Sequence, residues 1–215
     1  MVQAEVPPWA VRWLSQPRLA PYVRAAGAAD ALDLYRWNCR LGLALFELIG
    51  WFEIAWRNAV DDAISSRRRQ TRHWLFDTTF PLQRATRERI ARAVSTTAGA
   101  GRAEPAPGRV IAELPLGFWR FPTLRGYTTT MWAPYLSHAF PHAPRRPRRD
   151  EVDNRLQPII LLRNRIAHHE PVFGQPPLVR RTIADILELG AWINPQASRW
   201  WDRHSSAASV LAERS

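Results

Sequence analysis

Residues 34–56 read LYRWNCRLGLALFELIGWFEIAW, and this stretch decides the fold. Its large apolar side chains recur every three or four residues, at Leu34, Trp37, Leu41, Leu45, Leu48, Phe52 and Trp56. That spacing follows the 3.6-residue period of an α-helix with one buried stripe. The periodic segment extends from residue 28 to about residue 68, so the pattern predicts one long helix. A helix of that length is expected to kink, and Gly42 or Gly50 is the natural place.

Outside this segment the periodicity is also helical, and no alternating strand pattern or tight hairpin turn is found. Further helices are predicted over residues 81–98, 110–114, 127–140, 150–169 and 178–193. Pro158 predicts a kink or a new start within the fourth of these. We therefore expect one all-α domain, in which the long helix and the 150–169 helix pack antiparallel in the core. Its predicted parts are short N-terminal helices over 1–27, the core over 28–193 and a C-terminal tail over 194–215.

The charge of the chain favours a polyanionic partner. The formal net charge is +11, and all 30 basic residues are Arg. Cations near phosphates release condensed counterions, so an excess of Arg favours RNA. The single Cys39 fits a reducing cytosol. The longest apolar stretch is interrupted by Glu47 and Glu53, so we expect no membrane span. We expect a cytoplasmic protein that uses no cofactor.

The segment 163–170 reads RNRIAHHE and carries the chemistry that the rest of the chain lacks. Asn164 and His168 are four residues apart, on one face of the predicted helix, where the amide can orient the imidazole. Arg163 is a permanent cation suited to a phosphate, and histidine, the residue type at position 168, is the side chain most often used as a general acid or base. These are the groups needed to cleave RNA through its 2′-hydroxyl without a metal. A solvated helix end with well-placed cations remains the alternative interpretation.

One copy of this segment supplies a base and a cation but no separate acid for the leaving 5′-oxygen. A symmetric dimer that places two copies face to face would supply it. A metal site is not expected, because the adjacent His168 and His169 project to different sides of a helix.

Two further groups of charged residues leave alternatives open. On the long helix, Glu53–Arg57 and Arg57–Asp61 are opposite charges four residues apart. They form either a surface ladder or a buried group that orients the site. The Pro/Arg-rich segment 141–149 contacts RNA backbone or is a solvated linker; its candidate cations are Arg145, Arg146, Arg148 and Arg149.

The segment 163–170 resembles the R-x4–6-H signature of the HEPN superfamily, and RNRIAHHEP resembles the form found in Abi-like abortive-infection proteins of the AbiD/AbiF group. Three other blocks resemble that family, in its order along the chain, over roughly residues 30–200. They are Tyr35-x-Trp37-Asn38 with Phe52-Glu53-Ile54-x-x-Arg57-Asn58, then Ala112-Glu113-Leu114-x-Leu116-Gly117-Phe118-Trp119, and Trp192-Ile193-x-Pro195.

The resemblance implies a HEPN-like helical bundle, commonly a homodimer, with the motifs meeting at its interface. It also implies a metal-independent endoribonuclease that serves as a toxin in phage defence or in a toxin–antitoxin pair. A related possibility is a regulatory module that binds a structured small RNA without cleaving it. The implied catalytic residues are Arg163, Asn164 and His168, with supporting positions at His169, Glu170, Glu53, Arg57 and Asn58.

Overall fold

The computed structural model describes residues 5–98 and 104–214. These residues form eight α-helices and no strand, which confirms the predicted all-α class. None of the described helices combines the length and the apolar character that a membrane crossing requires. The helices are α1 (Pro8–Leu14), α2 (Gln16–Ser65), α3 (Arg84–Thr97), α4 (Pro107–Glu113), α5 (Arg149–Ala167), α6 (Pro176–Ile193), α7 (Pro195–His204) and α8 (Ala207–Ala212).

Helix α2 includes both the long helix that the sequence predicts and the second short helix predicted before it. Its backbone departs from helical angles at Gly27, where φ is +77°, and not at Gly42 or Gly50. This φ lies in a region that glycine enters without a steric penalty. The break therefore falls at the predicted boundary between the two helices, and the kink expected further along α2 was placed wrongly.

Helix α5 packs antiparallel to α2, as predicted. Ile166 lies against Gly42, and the Arg163 guanidinium lies over the ring of Phe46, so residue numbers fall along α5 as they rise along α2. The apolar stripe of α2 is buried along its whole length in this contact and in those with α6 and α8. Pro158 lies inside α5 without ending it, so no new helix starts there.

The described part of the predicted C-terminal tail, residues 194–214, forms α7 and α8 and contributes buried side chains to the core. The indole of Trp37 donates to the carbonyl of Val210 at 2.9 Å, which fixes α8 on α2. Trp201 of α7 packs directly on Gly190 of α6, where any side chain would overlap its ring. The predicted terminal segments also include residues 1–4 and 215, which lie outside the described part of the chain.

The helix predicted over residues 127–140 does not form. Short 3-10 and π turns occupy the segment, at Arg125–Tyr127, Thr128–Trp132 and Leu136–His138. Pro134 lacks a backbone N–H, and Tyr127, Trp132 and Phe140 are all buried. Burial of these rings outweighs the helical pattern of the sequence.

An ion pair fastens the segment after α4 to α5. Arg120 donates to both carboxylate oxygens of Asp153, at 2.8 and 2.9 Å, and the Thr123 hydroxyl donates to the same carboxylate at 2.6 Å. Burial by itself would raise the pKa of Asp153. These hydrogen bonds outweigh burial and hold the pKa below its ordinary value. The ionised carboxylate therefore stabilises the fold.

Asp153→Asn is expected to lower the free energy of unfolding by about 1–3 kcal/mol at neutral pH, because it removes a partly buried charge-assisted pair. Since the folded-state pKa is depressed, this contribution is fully present above the ordinary pKa of 3.8 and is lost as the pH falls through the folded-state value. Urea unfolding at a series of pH values measures it. The gap between the variant and the wild type should close in acid, whereas Asp33→Asn, in an exposed pair, should change little at any pH.

Candidate functional site

A basic cleft of about 530 Å³ lies between α3, the segment after α4 and the C-terminal half of α5. Helix α3 contributes Arg89, Arg92 and Thr96, which share one face because they are three and four residues apart. Helix α5 contributes Arg163 and Asn164. The floor between these helices is formed by the segment Leu114, Pro115, Leu116, Gly117 and Phe118.

Arg163 is the central cation of this region. Its guanidinium lies 5.9 Å from the centroid of the Phe46 ring, and its Nε is buried without a hydrogen-bond partner. Among the described residues no carboxylate lies within ion-pair distance of it. A buried N–H without an acceptor is uncommon in folded proteins, and the guanidinium as a whole has no anionic partner among the described residues.

Asn164 and His168 do not form the side-chain hydrogen bond that their spacing allows. The backbone carbonyl of Asn164 instead accepts from the His168 N–H at 2.9 Å, in the last turn of α5. Asn164 lines the cleft, whereas His168 is exposed at the helix end and does not. The two motif residues Arg163 and His168 are about 7.5 Å apart along the helix axis. One chain therefore puts the cation in the cleft and leaves the imidazole outside it.

The residues after His168 turn the chain away from α5. His169 has φ +55°, and its carbonyl accepts from the Arg18 side chain at 3.0 Å. The Glu170 carboxylate lies 3.6 Å from the Arg165 guanidinium, so neither His169 nor Glu170 joins Arg163 in the basic cleft.

A buried amide on α2 holds this turn in place. The Asn38 side chain accepts from the Val172 N–H at 2.8 Å and donates to the Tyr22 hydroxyl at 3.1 Å. Burial raises the pKa of Tyr22 to about 12, so its hydroxyl keeps its proton near neutral pH. Asn38 belongs to a sequence block that resembles the family pattern, and its observed contacts give it a structural role.

Glu53 and Arg57 form a largely buried ion pair at 2.7 Å, and both line a second cavity together with Arg163. Arg57 also donates to the carbonyl of Ala112 at 3.3 Å, which ties α2 to the end of α4. The pair therefore orients the floor of the cleft rather than Arg163 itself. The predicted Arg57–Asp61 pair is absent, because Asp61 accepts from the Trp74 indole at 2.6 Å. Asn58 is exposed, with no hydrogen bond to another described side chain.

The four arginines predicted to contact RNA backbone lie at the opposite end of α5, a helix about 28 Å long. Arg145 and Arg148 pair with Glu151 and Asp150, and Arg149 donates to the carbonyl of Thr123. Arg146 contacts Ser137 and the His138 ring. The structure therefore does not bring Arg145, Arg146, Arg148 and Arg149 to the cleft.

Two cleft residues were missed from the sequence. Arg89 and Arg92 belong to the helix 81–98, whose Arg/Glu face is typical of a solvated surface. Their spacing with Thr96 was the available signal, but it says nothing about what the face contacts. Only the packing of α3 beside α5 turns that face towards Arg163.

The chain was also compared with known proteins. No protein-family model, curated protein or solved structure matches it. Within the described residues, no group of three or more His, Cys, Asp or Glu side chains is placed to hold a metal ion.

Asn38→Ala is expected to loosen the turn after α5, because the Val172 N–H and the Tyr22 hydroxyl are both deprived of a buried partner. Such a change costs about 1–3 kcal/mol. Hydrogen exchange followed by mass spectrometry should show faster exchange over residues 168–173. The matched control is Asn58→Ala on the same helix, which removes an exposed amide and should leave this exchange unchanged. Equal exchange in both variants would show that Asn38 does not hold the turn.

Proposed function

We propose that the chain is a HEPN-type endoribonuclease of the Abi-like group, which cleaves RNA without a metal at a site shared by two copies of the chain. The observation that carries the proposal is the state of Arg163. It is a permanent cation with a buried, unsatisfied N–H and no carboxylate partner among the described residues, at the wall of an arginine-lined cleft. A phosphodiester supplies the acceptor oxygens and the negative charge that this arrangement lacks.

The reaction proposed is transfer within the RNA strand. His168 takes the proton of a ribose 2′-hydroxyl, and the 2′-oxygen forms a bond to the adjacent phosphorus. Arg163 holds the charge that develops on the phosphorane oxygens, and the Asn164 amide donates to one of them. The bond from phosphorus to the 5′-oxygen then breaks, that oxygen takes a proton from solvent water, and the proton held on His168 returns to the solvent. The products are a 2′,3′-cyclic phosphate and a free 5′-hydroxyl.

A second copy is needed because His168 lies outside the cleft of its own chain. Helix α2 exposes apolar side chains next to Arg163, namely Leu43, Phe46 and Ile54. Large apolar side chains exposed on one face of a helix are typical of an interaction surface. Two such faces packed together would bring the His168 end of each α5 towards the Arg163 of the other chain, in a two-fold arrangement.

The first test is cleavage of total RNA in EDTA, with the fragment ends analysed for 2′,3′-cyclic phosphate. Arg163→Ala and His168→Ala are each expected to lower the rate by about 100-fold or more, because they remove the charge-stabilising and proton-transfer groups. Expression of the wild-type chain should arrest growth, and either variant should relieve the arrest, as expected for a toxin or phage-defence effector.

The matched controls are Arg180→Ala and His142→Ala, which remove one exposed Arg and one exposed His away from the cleft. Both should cleave at the wild-type rate. Cleavage that His168→Ala leaves untouched would exclude the proposed chemistry.

Mixing the two inactive variants tests the shared site. If Arg163 of one chain works with His168 of the other, each mixed dimer has one intact site. Half the dimers are then mixed, and about a quarter of the wild-type rate should return. Leu43→Glu should abolish both this recovery and the dimer that sedimentation of the wild type is expected to show, while Leu178→Glu, at an exposed leucine on α6, should abolish neither. If mixing restores nothing although dimers form, the site lies within one chain.

The position of His168 also favours a second candidate, an RNA-binding module without chemistry. The cleft of a single chain holds cations and an amide but not the imidazole of His168. Such a module would bind a structured small RNA, which could act as its partner or antitoxin. Salt-sensitive binding that survives His168→Ala, without cleavage by the wild type, would favour it.

A further inference from the structure

We infer that the cleft binds single-stranded RNA and that Arg89 and Arg92 hold the phosphates next to the one at Arg163. This inference rests on the proposed function for the phosphate at Arg163. It adds two phosphate-binding residues, on α3, and it specifies the substrate as single-stranded RNA.

The arginines of α3 differ in what they contact. Arg84 pairs with Glu88 at 2.7 Å, and Arg87 donates to the carbonyl of Phe80 at 2.7 Å. Arg89 and Arg92 are exposed, and neither guanidinium group makes an ion pair or a hydrogen bond to another described residue. The two arginines without a partner are those that face the cleft.

The charge of the cleft is not balanced by its own residues. Arg89, Arg92 and Arg163 line it, and Glu113 is the one carboxylate among the lining residues. Like charges repel at short range, so three guanidinium groups in one cleft are most stable with an anion between them. A strand with successive phosphates satisfies all three, whereas a single small anion satisfies one or two.

The wall and the floor are both held in place. The start of α3 is anchored by Tyr127, whose hydroxyl accepts from the Gln83 N–H and hydrogen bonds to Thr86, each at 2.8 Å. The floor is held by the Trp119 indole, which donates to the carbonyl of Leu114 at 3.1 Å. Such a cleft is formed before the ligand arrives, which reduces the entropic cost of binding.

The shape and the floor select one strand rather than two. A volume of about 530 Å³ is in the range that encloses a drug-sized molecule, so it can take part of one strand but not a duplex. The floor exposes Pro115 and Gly117, and the buried side chains of Leu114 and Phe118 lie beneath them. Every base presents an apolar face to such a surface, so binding is expected with little preference for sequence.

The test uses the full chain and a fluorescent single-stranded oligoribonucleotide with 2′-O-methyl riboses, which cannot be cleaved through the 2′-hydroxyl. Binding is measured by anisotropy at several salt concentrations. The double variant Arg89→Ala/Arg92→Ala is expected to raise Kd about tenfold for each of the two guanidinium–phosphate interactions that it removes. The slope of log K against log salt should fall by about 1.4 in magnitude, because two fewer phosphates are neutralised.

The matched control is Arg180→Ala/Arg199→Ala, which removes the same charge from exposed positions on α6 and α7. It should bind like the wild type. Equal Kd values and slopes for the two double variants would overturn the inference, as would duplex RNA that binds as tightly as the single strand and is weakened as much by Arg89→Ala/Arg92→Ala.

This experiment separates the inference from the proposed function. Binding to the uncleavable strand does not require catalysis, so weaker binding by Arg89→Ala/Arg92→Ala supports the α3 wall even in a chain that cleaves nothing. Conversely, if Arg163→Ala abolishes cleavage while the Arg89/Arg92 variant keeps the wild-type Kd and KM, the inference fails and the proposed function stands.

Discussion

The antiparallel contact between α2 and α5 determines where the chemical groups of this chain lie. Ile166 packs against α2 at Gly42, and Asn38 ties the turn after α5 to the same helix. With those two contacts fixed, Arg163 falls opposite Phe46, and its guanidinium lies over that ring rather than beside a carboxylate. The placement of the cation is thus a consequence of helix packing, and a shift of one turn in that packing would remove Arg163 from the cleft.

The sequence was sufficient for the elements built on apolar periodicity. The stripe of α2 and the ends of α5 and α6 follow from it, because burial of one helix face is the dominant favourable contribution in such a fold. It failed where large rings compete with that period. The segment 127–140 has a helical pattern, yet Tyr127, Trp132 and Phe140 are buried in short 3-10 and π turns. The helices α7 and α8 were missed because their burial depends on distant partners such as Trp37.

The residues of the candidate site also fall into those that the sequence could predict and those that it could not. Arg163 and Asn164 could be picked out because their residue types suit phosphate and their spacing is local. Arg89 and Arg92 could not, because a solvated face and a cleft wall have the same sequence pattern until the neighbouring helix is known. Glu53 and Arg57 were left between two interpretations, and the structure shows why. Their pair supports the end of α4 while lying next to Arg163.

The Nε of Arg163 is a buried donor without an acceptor, an arrangement that a stable core normally avoids. Leaving a buried donor without an acceptor costs about 1–3 kcal/mol, which is a large fraction of the stability of a domain of this size. A carboxylate in place of Phe46 would remove that cost and would also occupy the position that an incoming oxyanion needs. Phe46 stabilises the cation through its ring face without offering an acceptor. The guanidinium therefore lines the cleft without a carboxylate partner, so a phosphate oxygen that reaches its terminal nitrogens meets no competing anion there.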